Sequence, residues 1–522
     1  MAILGTLLKQ GIKLRRSIEQ DNKPPLSLQA RQLYQLLSAA RGTAFGKYYD
    51  FDAILDMYPQ GVQAFMQAYQ ERVPLFNYDS IYEQWWHRAH KNAEPNVAWK
   101  GRVKYFALSS GTSGSPSKHI PVTQQMLKAI HRASIRQILS LSNFKEVPSK
   151  MYSKGLLALG GSTHLNRRGT FFEGDLSGIT ASNIPFWFQH FYKPGRRIAK
   201  NTDWDAKLEE IVRKAEKWDI AFMAGVPAWI QIMMEKIIEH YKLNNIHELW
   251  PNLTAYAFGG VSFDPYRKGF EKLLGKPIIY IETYLASEGF IAFQTHPNQH
   301  LRLILNNGIF FEFVPFNEDN FDADGELLPQ AKALTIDQVE EETHYALLLS
   351  TCAGAWRYLI GDVIQFVNKE RSEIIITGRT KHFLSLCGEH LSVDNMNKAI
   401  ELVSEELNLA IKEFTVAGVP HDTLFAHQWY IGSDENIDET QLRDRIDAHL
   451  QHLNDDYKVE RSAALKEICV KVLPTALFYK WLETQGKVGG QHKFPRVLKK
   501  AQYQAWLSFL ETQGIPLPKA SF

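Results

Sequence analysis

Cysteine is scarce in this chain. Of 522 residues only three are cysteine, Cys352, Cys387 and Cys469, far apart and without metal-ligand spacing. That excludes a disulfide framework and a cysteine-built zinc site, and a reducing cytosol is the expected setting. An excess of charge is also missing. The 59 lysines and arginines stand against 57 aspartates and glutamates, a net charge of +2, with the two signs interspersed. Without a basic stripe, long-range attraction to nucleic acid is not expected. No apolar run reaches the ~20 residues that a membrane span requires. The stretch from Met1 to Arg16 is basic and mildly amphipathic, without a long apolar core or a small-residue cleavage site. It reads as a first helix and not as a signal peptide. The expectation is a cytoplasmic protein with small-molecule partners, no membrane insertion and no nucleic acid, monomeric or a weak homo-oligomer.

What is present is enough apolar material for packed cores: 45% of residues are hydrophobic. The length exceeds what one core supports and implies two or more domains. Helical spacing of Leu28, Leu33, Leu36 and Leu37 predicts a helix over 26–41. Further helices are predicted over 60–71, 123–141, 204–217 and 228–241, and an aromatic packing helix over Tyr78 to His90. Short apolar strands ending in glycine turns recur at 156–160, 220–225 and 254–258. Strand, turn and helix in repetition imply a parallel sheet covered by helices, whose ligands sit at the carboxyl ends of strands. The pairs Gly160-Gly161 and Gly259-Gly260 are thus candidate edges of one site. Between them, 169–195 reads as irregular and aromatic, either lining a pocket or packing beneath a loop.

After residue 380 the elements shorten: helix 394–408, strands 413–419 and 427–432, helix 438–453, strand 467–473, helix 474–484. The predicted organisation is a large domain over 1–380 with mixed and parallel sheets flanked by helices, then a small mobile α+β domain over 381–522.

Phe106 to Pro121 is the most pointed stretch. An apolar run leads into Ser109, Ser110, Gly111, Thr112, Ser113 and Gly114, and Lys118 follows before the apolar pattern resumes. Glycines free the backbone, hydroxyls and inward N–H groups form an anion nest, and Lys118 adds a full charge. It reads as a loop for the phosphates of a nucleoside triphosphate, or as a flexible turn. It is not the P-loop of nucleotide hydrolases, because Ser117 and His119 flank Lys118 in place of glycine and a hydroxyl residue. Strand 277–281 runs into a turn bearing Tyr284, which can stack on a base, and Glu288, a hard oxygen ligand suited to Mg²⁺ or a surface acid starting a helix. Asp362 follows a glycine and suits two vicinal ribose hydroxyls, or bonds its own turn.

Ser109–Pro121, Tyr284–Glu288, Arg357–Val363, Gly378–Leu391 and Gly489–Arg496, in that order, resemble the auxin-responsive acyl-acid amido synthetases, the family of the plant jasmonate–amino and indoleacetate–amido synthetases. The Ser-Ser-Gly-Thr-Ser-Gly loop with Lys-x-Ile-Pro, paired with Gly-Gln-x-Lys-x-Pro-Arg near the end, carries the likeness. It extends over nearly the whole chain. Two departures are His492, where tyrosine is usual, and Ser115-Pro116-Ser117 in the loop.

The resemblance implies a luciferase-like adenylating fold and two half-reactions. ATP and an acyl acid give an acyl-adenylate, and an amino acid's amine then forms the amide. It implies Lys493 bridging the substrate carboxylate and α-phosphate, Lys118 with Ser109, Ser110, Gly111, Thr112 and Ser113 on the pyrophosphate, and Glu288 on Mg²⁺. Asp362 and Arg379 would fix the ribose. Tyr284 with Thr283 and the Gly259-Gly260 edge would hold adenine. His119, His164 and His390 are candidates by type alone for a second-step base. An acyl-CoA ligase on the same scaffold and a non-catalytic nucleotide-binding relative are the alternatives.

Overall fold

The computed structural model describes residues 23–109, 118–161, 163–184, 189–260, 263–322, 325–380, 383–384, 386–387, 389, 391–409, 411–422, 424–484 and 494–515. The predicted first helix, Met1 to Arg16, lies outside them. Contacts divide the chain into two units. One runs to Leu108 and resumes over His119–Thr380, and the other comprises Lys381–Phe522 with Ser109–Lys118.

In chain order the strands of the first part are β1 (Tyr105–Ser109), β2 (Lys118–Val122), β3 (Gly155–Leu159), β4 (Asn166–Arg168), β5 (Phe171–Gly174), β6 (Tyr192–Lys193), β7 (Ile220–Gly225) and β8 (Ala255–Phe258). There follow β9 (Ile279–Ala286), β10 (Gly289–Gln294), β11 (Leu301–Leu303), β12 (Ile309–Pro315), β13 (His344–Thr351), β14 (Tyr358–Asn368) and β15 (Glu373–Arg379). Eleven of them form one sheet in the order β12-β13-β14-β15-β11-β10-β9-β8-β7-β3-β6. The β6-β3-β7-β8-β9 half is parallel. The other half is antiparallel throughout. The sheet is therefore mixed. β1, β2, β4 and β5 make a separate four-stranded sheet in the order β2-β1-β5-β4.

Helix Pro227–Tyr241, buried over most of its first ten residues, connects β7 to β8. Parallel strands need such a crossover, and packing against the sheet accounts for its apolar composition. Helix Pro25–Ala40 inserts Gln29 into the sheet. Its amide donates to the Leu305 and Ile309 carbonyls and accepts from the Phe311 N–H. A buried glutamine with all three bonds made fixes the helix against β12.

Three sequence expectations change. The 169–195 stretch is only partly irregular: its described residues hold β5, helix Leu176–Ser182 capped by Asp175, and β6. The aromatic helix at Tyr78 to His90 carries a π turn over Tyr82–Trp86. β9 does not stop at Ile281 but runs to Ala286 and turns back directly into β10. Tyr284 is thus a strand residue. Glu288 sits in a hairpin turn and starts no helix.

The second unit opens with the short hairpin β16 (Phe383–Leu384) and β17 (Leu391–Ser392), then helix Val393–Leu407, capped by a reciprocal Ser392–Asn395 bond pair. Its sheet is β18 (Glu413–His421), β19 (Leu424–Gly432) and β20 (Leu465–Leu473), with β18 antiparallel and β20 parallel to β19. Trp481, Trp506, Phe478, Phe494 and Leu510 build one of its cores.

A buried carboxylate pins the loop that starts this unit. Glu389 accepts from the N–H groups of Leu386 and Cys387 and meets His427 Nε2 of β19 at 2.9 Å. Burial alone would raise its pKa. The His427 hydrogen bond and charge, then the Cys387 amide, outweigh burial and hold it at about 2. A lowered native pKa contributes stability that is complete above the free-carboxylate value and drains away as pH falls toward 2. The melting temperature of the wild type should therefore drop more between pH 5 and 3 than that of Glu389→Gln. Parallel curves would contradict the account.

Candidate active site

Parallel strands end at a common edge, and there the glycine pairs lie. β3 closes at Gly160, β7 at Gly225, β8 at Gly259 and β9 just before the Ser287-Glu288 turn. At Gly259 a Cβ would stand 2.4 Å from the Thr283 carbonyl oxygen. Only glycine lets these two strands approach so closely. Gly260 takes φ +84° and faces open space. The pair forms a smooth backbone ledge on which a flat group can rest without meeting a side chain. Thr283 is held from the other side by Gln137, whose amide donates to its hydroxyl at 2.5 Å.

The charged part of the site comes from β14 and β15. Their register sets Asp362 opposite Arg379, and the guanidinium lies 2.8 Å from Asp362 Oδ1. The Tyr284 hydroxyl donates to the other oxygen, Oδ2. In the sheet order β9 is four places from β14, about 19 Å if the sheet were flat. No tyrosine spans that gap, so the sheet curls enough to bring β9 and β14 together at Asp362. Asp362, for which the sequence also left open a turn bonding its own backbone, is a mid-strand residue.

Tyr284 is 5% exposed. Burial, then the Asp362 charge, pushes its phenol far above the usual range, so it stays a donor. Burial works against the Arg379 charge, but Asp362, then Tyr284 and Glu288, outweigh it and keep the guanidinium charged. Glu288, 8% exposed, lies beside the Tyr358 phenol, and burial, then the Glu288 charge, raises that phenol. The result is one cluster of two carboxylates, one guanidinium and two buried phenols. Asp362 retains lone pairs for ribose hydroxyls, since a carboxylate has about four acceptor sites. Glu288 is a single hard-oxygen donor, which fits an ion held mainly by substrate phosphates.

Ser109 ends β1 and Lys118 opens β2, so the two flank the hydroxyl-rich loop. Ser110, Gly111, Thr112, Ser113 and Lys493 lie outside the described residues. Directly after Lys493, Phe494 is buried in the aromatic core of the second unit, and Arg496 pairs with Glu413 at 2.5 Å and lies over the Phe414 ring. The tail's Arg496 is therefore anchored to β18.

Two buried cations escaped the sequence reading. Arg357, with φ +43°, makes a two-pronged pair with Glu312 of β12 and donates to the Gln70 and Val73 carbonyls. A charged residue inside the apolar run Ala355 to Ile360 was the available signal. Lys207 donates to the Gly160 carbonyl at 2.6 Å. Burial lowers its pKa to about 8 against the opposing pull of Asp175. It braces the end of β3, and its solvated-looking helix gave no hint.

Comparison with known proteins adds three family matches in chain order. They are the GH3 family N-terminal domain over residues 14–215, the GH3 family central domain over 302–373 and the GH3 family C-terminal domain over 394–502. The indole-3-acetic acid-amido synthetase GH3.2 of Arabidopsis thaliana is 21% identical over 477 residues, covering 77% of this chain and 82% of that protein. Among solved structures, the GH3.15 acyl acid amido synthetase superposes with a TM-score of 0.57 at 17% identity over 97% of this chain and 96% of that one. A 2-hydroxyisobutyryl-CoA ligase, bound to 2-HIB-AMP and CoA, reaches 0.56 at 12% identity over 93% and 91%. Both share the fold.

Proposed function

Because the chain belongs to the GH3 family, we propose that it is an ATP-dependent acyl-acid amido synthetase that joins a carboxylic acid to an amino acid. The observation that carries this reading is the Tyr284–Asp362–Arg379 cluster with Glu288 beside it, set at the carboxyl edge of the sheet next to the Gly259-Gly260 ledge. The relatives' names supply the acceptor class: they are amido synthetases.

A carboxylate acylates poorly because its leaving group would be oxide. In the first step its oxygen attacks the α-phosphorus of ATP, and pyrophosphate leaves. In the second the amine nitrogen attacks the acyl carbon, AMP leaves, and the amine gives up a proton. The first step brings two anions together, so cations must offset their repulsion. Lys493 is assigned to the carboxylate and α-phosphate, and Lys118 with the loop N–H groups to pyrophosphate. Asp362, held by Arg379 and Tyr284, accepts from the ribose hydroxyls, and the glycine ledge with Thr283 receives adenine. Glu288 would hold a Mg²⁺ ion, whose charge would help neutralise the phosphates. The boundary at Thr380-Lys381 serves as the hinge on which the second unit turns between the two steps.

Asp362→Asn keeps the shape but removes the charge that orients Arg379 and receives the ribose. Hydrogen bonds to charged groups contribute ~1.5–3 kcal/mol, so the KM for ATP should rise tenfold or more with the fold intact. An unchanged KM would remove Asp362 from the nucleotide site. The amide step is tested by incubating the protein with ATP, Mg²⁺ and a panel of acyl acids, with mixed amino acids in one arm and CoA in the other. Mass spectrometry should find an amide and AMP. A thioester in place of the amide would replace the acceptor. No AMP with any acid would overturn the reading.

A further inference from the structure

The four-stranded sheet beside the loop carries a second cluster that the adenylation chemistry does not use. His90 ends the helix His87–His90, His119 lies on β2 and Glu173 on β5. Each offers one donor atom, and the three atoms all lie within 4.8 Å of one another. Three separate segments thus converge, brought together because β5 pairs with β1 at Phe106↔Glu173. We propose that His90, His119 and Glu173 form a binding site for a divalent transition-metal ion, with Zn²⁺ the best match.

Outer hydrogen bonds single out one donor atom on His90 and one on Glu173. His90 Nδ1 meets the Tyr82 hydroxyl at 2.7 Å, which leaves Nε2 as the coordinating nitrogen. The Arg168 guanidinium donates to Glu173 Oε1 at 2.7 Å, which leaves Oε2, and Oε2 faces His119 Nε2 at 3.5 Å. Metal-bound histidines and carboxylates are commonly held by such outer partners. With bonds of 2.0–2.2 Å, donors around a tetrahedral zinc stand about 3.4 Å apart. The His119–Glu173 pair already has that spacing, and the His90 ring stacks on His119 with 4.1 Å between centroids.

Two imidazoles and one carboxylate suit zinc and its neighbours, while an all-oxygen set would suit magnesium or calcium. Three protein donors leave a fourth position for water or an incoming ligand. Phe106 and Phe171 pack against His90, with centroids 4.8 and 5.0 Å away, and wall the cluster on that side. Glu173 is buried and the two histidines are half-buried. A bound ion would tie β2, β5 and the 82–90 segment together one residue from Lys118. It would thereby hold the strand from which that lysine projects.

The test uses the full chain without a histidine tag, stripped of metal, and Co²⁺ as a spectroscopic probe. One equivalent of Co²⁺ should give the intense visible absorption of a four-coordinate site, and Zn²⁺ should abolish it stoichiometrically. His90→Gln with His119→Gln should lose the absorption and at least a hundredfold in affinity, with an unchanged circular dichroism spectrum. His240→Gln, on an exposed helix end, should bind as the wild type does. Glu173→Gln provides a second probe that leaves both rings in place, and it too should weaken the site. No Co²⁺ spectrum in the wild type, or equal binding by the double histidine variant, would overturn the proposal.

Discussion

Lys493→Ala is expected to lower acyl-adenylate formation at least a hundredfold while the protein stays folded and still binds ATP. In the first step a carboxylate oxygen approaches a phosphorus ringed by anionic oxygens. A cation placed where charge accumulates is worth far more in the transition state than in the ground state. Removing one such group elsewhere lowers kcat by about 10²–10³, or ~2.7–4 kcal/mol. The loss should therefore appear in kcat more than in the KM for ATP. Lys493→Arg should recover part of the rate, because it restores charge with a different reach. The residues that follow are held independently by the buried Phe494 and the Arg496–Glu413 pair, so the truncation leaves their packing in place. Rapid-quench measurement of pyrophosphate release reads the effect directly. A near-normal burst in the alanine variant would take Lys493 out of the chemistry.

Glu312→Ala is expected to give the largest loss of stability. Glu312 and Arg357 are 1% and 6% exposed, and they share two hydrogen bonds at 3.0 Å. Gln70 adds a third to the carboxylate, and two backbone carbonyls complete the guanidinium. Deleting the carboxylate leaves a buried, uncompensated cation. Breaking such a pair from one side typically costs ~3–5 kcal/mol. The paired replacement of Glu312 by Leu and Arg357 by Met should cost much less than Glu312→Ala alone, because no charge is then left behind. Urea unfolding of the three proteins measures this. A single variant within ~1 kcal/mol of wild type would mean that water reaches the guanidinium.

The fold was legible where one period dominates. Helices over 26–41 and 123–141 are found as Pro25–Ala40 and Gln124–Ser140, because their apolar residues recur at 3.6. Strands at 220–225 and 254–258 announced themselves as short apolar runs ending at glycine. In the antiparallel half two strands were hidden. β14 mixes Gly361 and Asp362 into an apolar strand and so resembled a turn. β10 was invisible because Gly289 looked like a break when it begins a strand. Sequence could name Tyr284, Asp362 and Arg379 separately, but not that a curled sheet joins them. That contact depends on strand order, which no local pattern contains. The His90, His119 and Glu173 grouping is a similar case: 83 positions of chain separate its ends.

One measurement bears most directly on the central claim, that this chain activates a carboxylate through AMP. Wild-type protein is given ATP, Mg²⁺ and labelled pyrophosphate, with and without a panel of acyl acids. Label should pass into ATP only when a suitable acid is present, since the exchange runs through a reversible acyl-adenylate. Saturable ATP binding with no exchange for any acid in the panel would contradict the account.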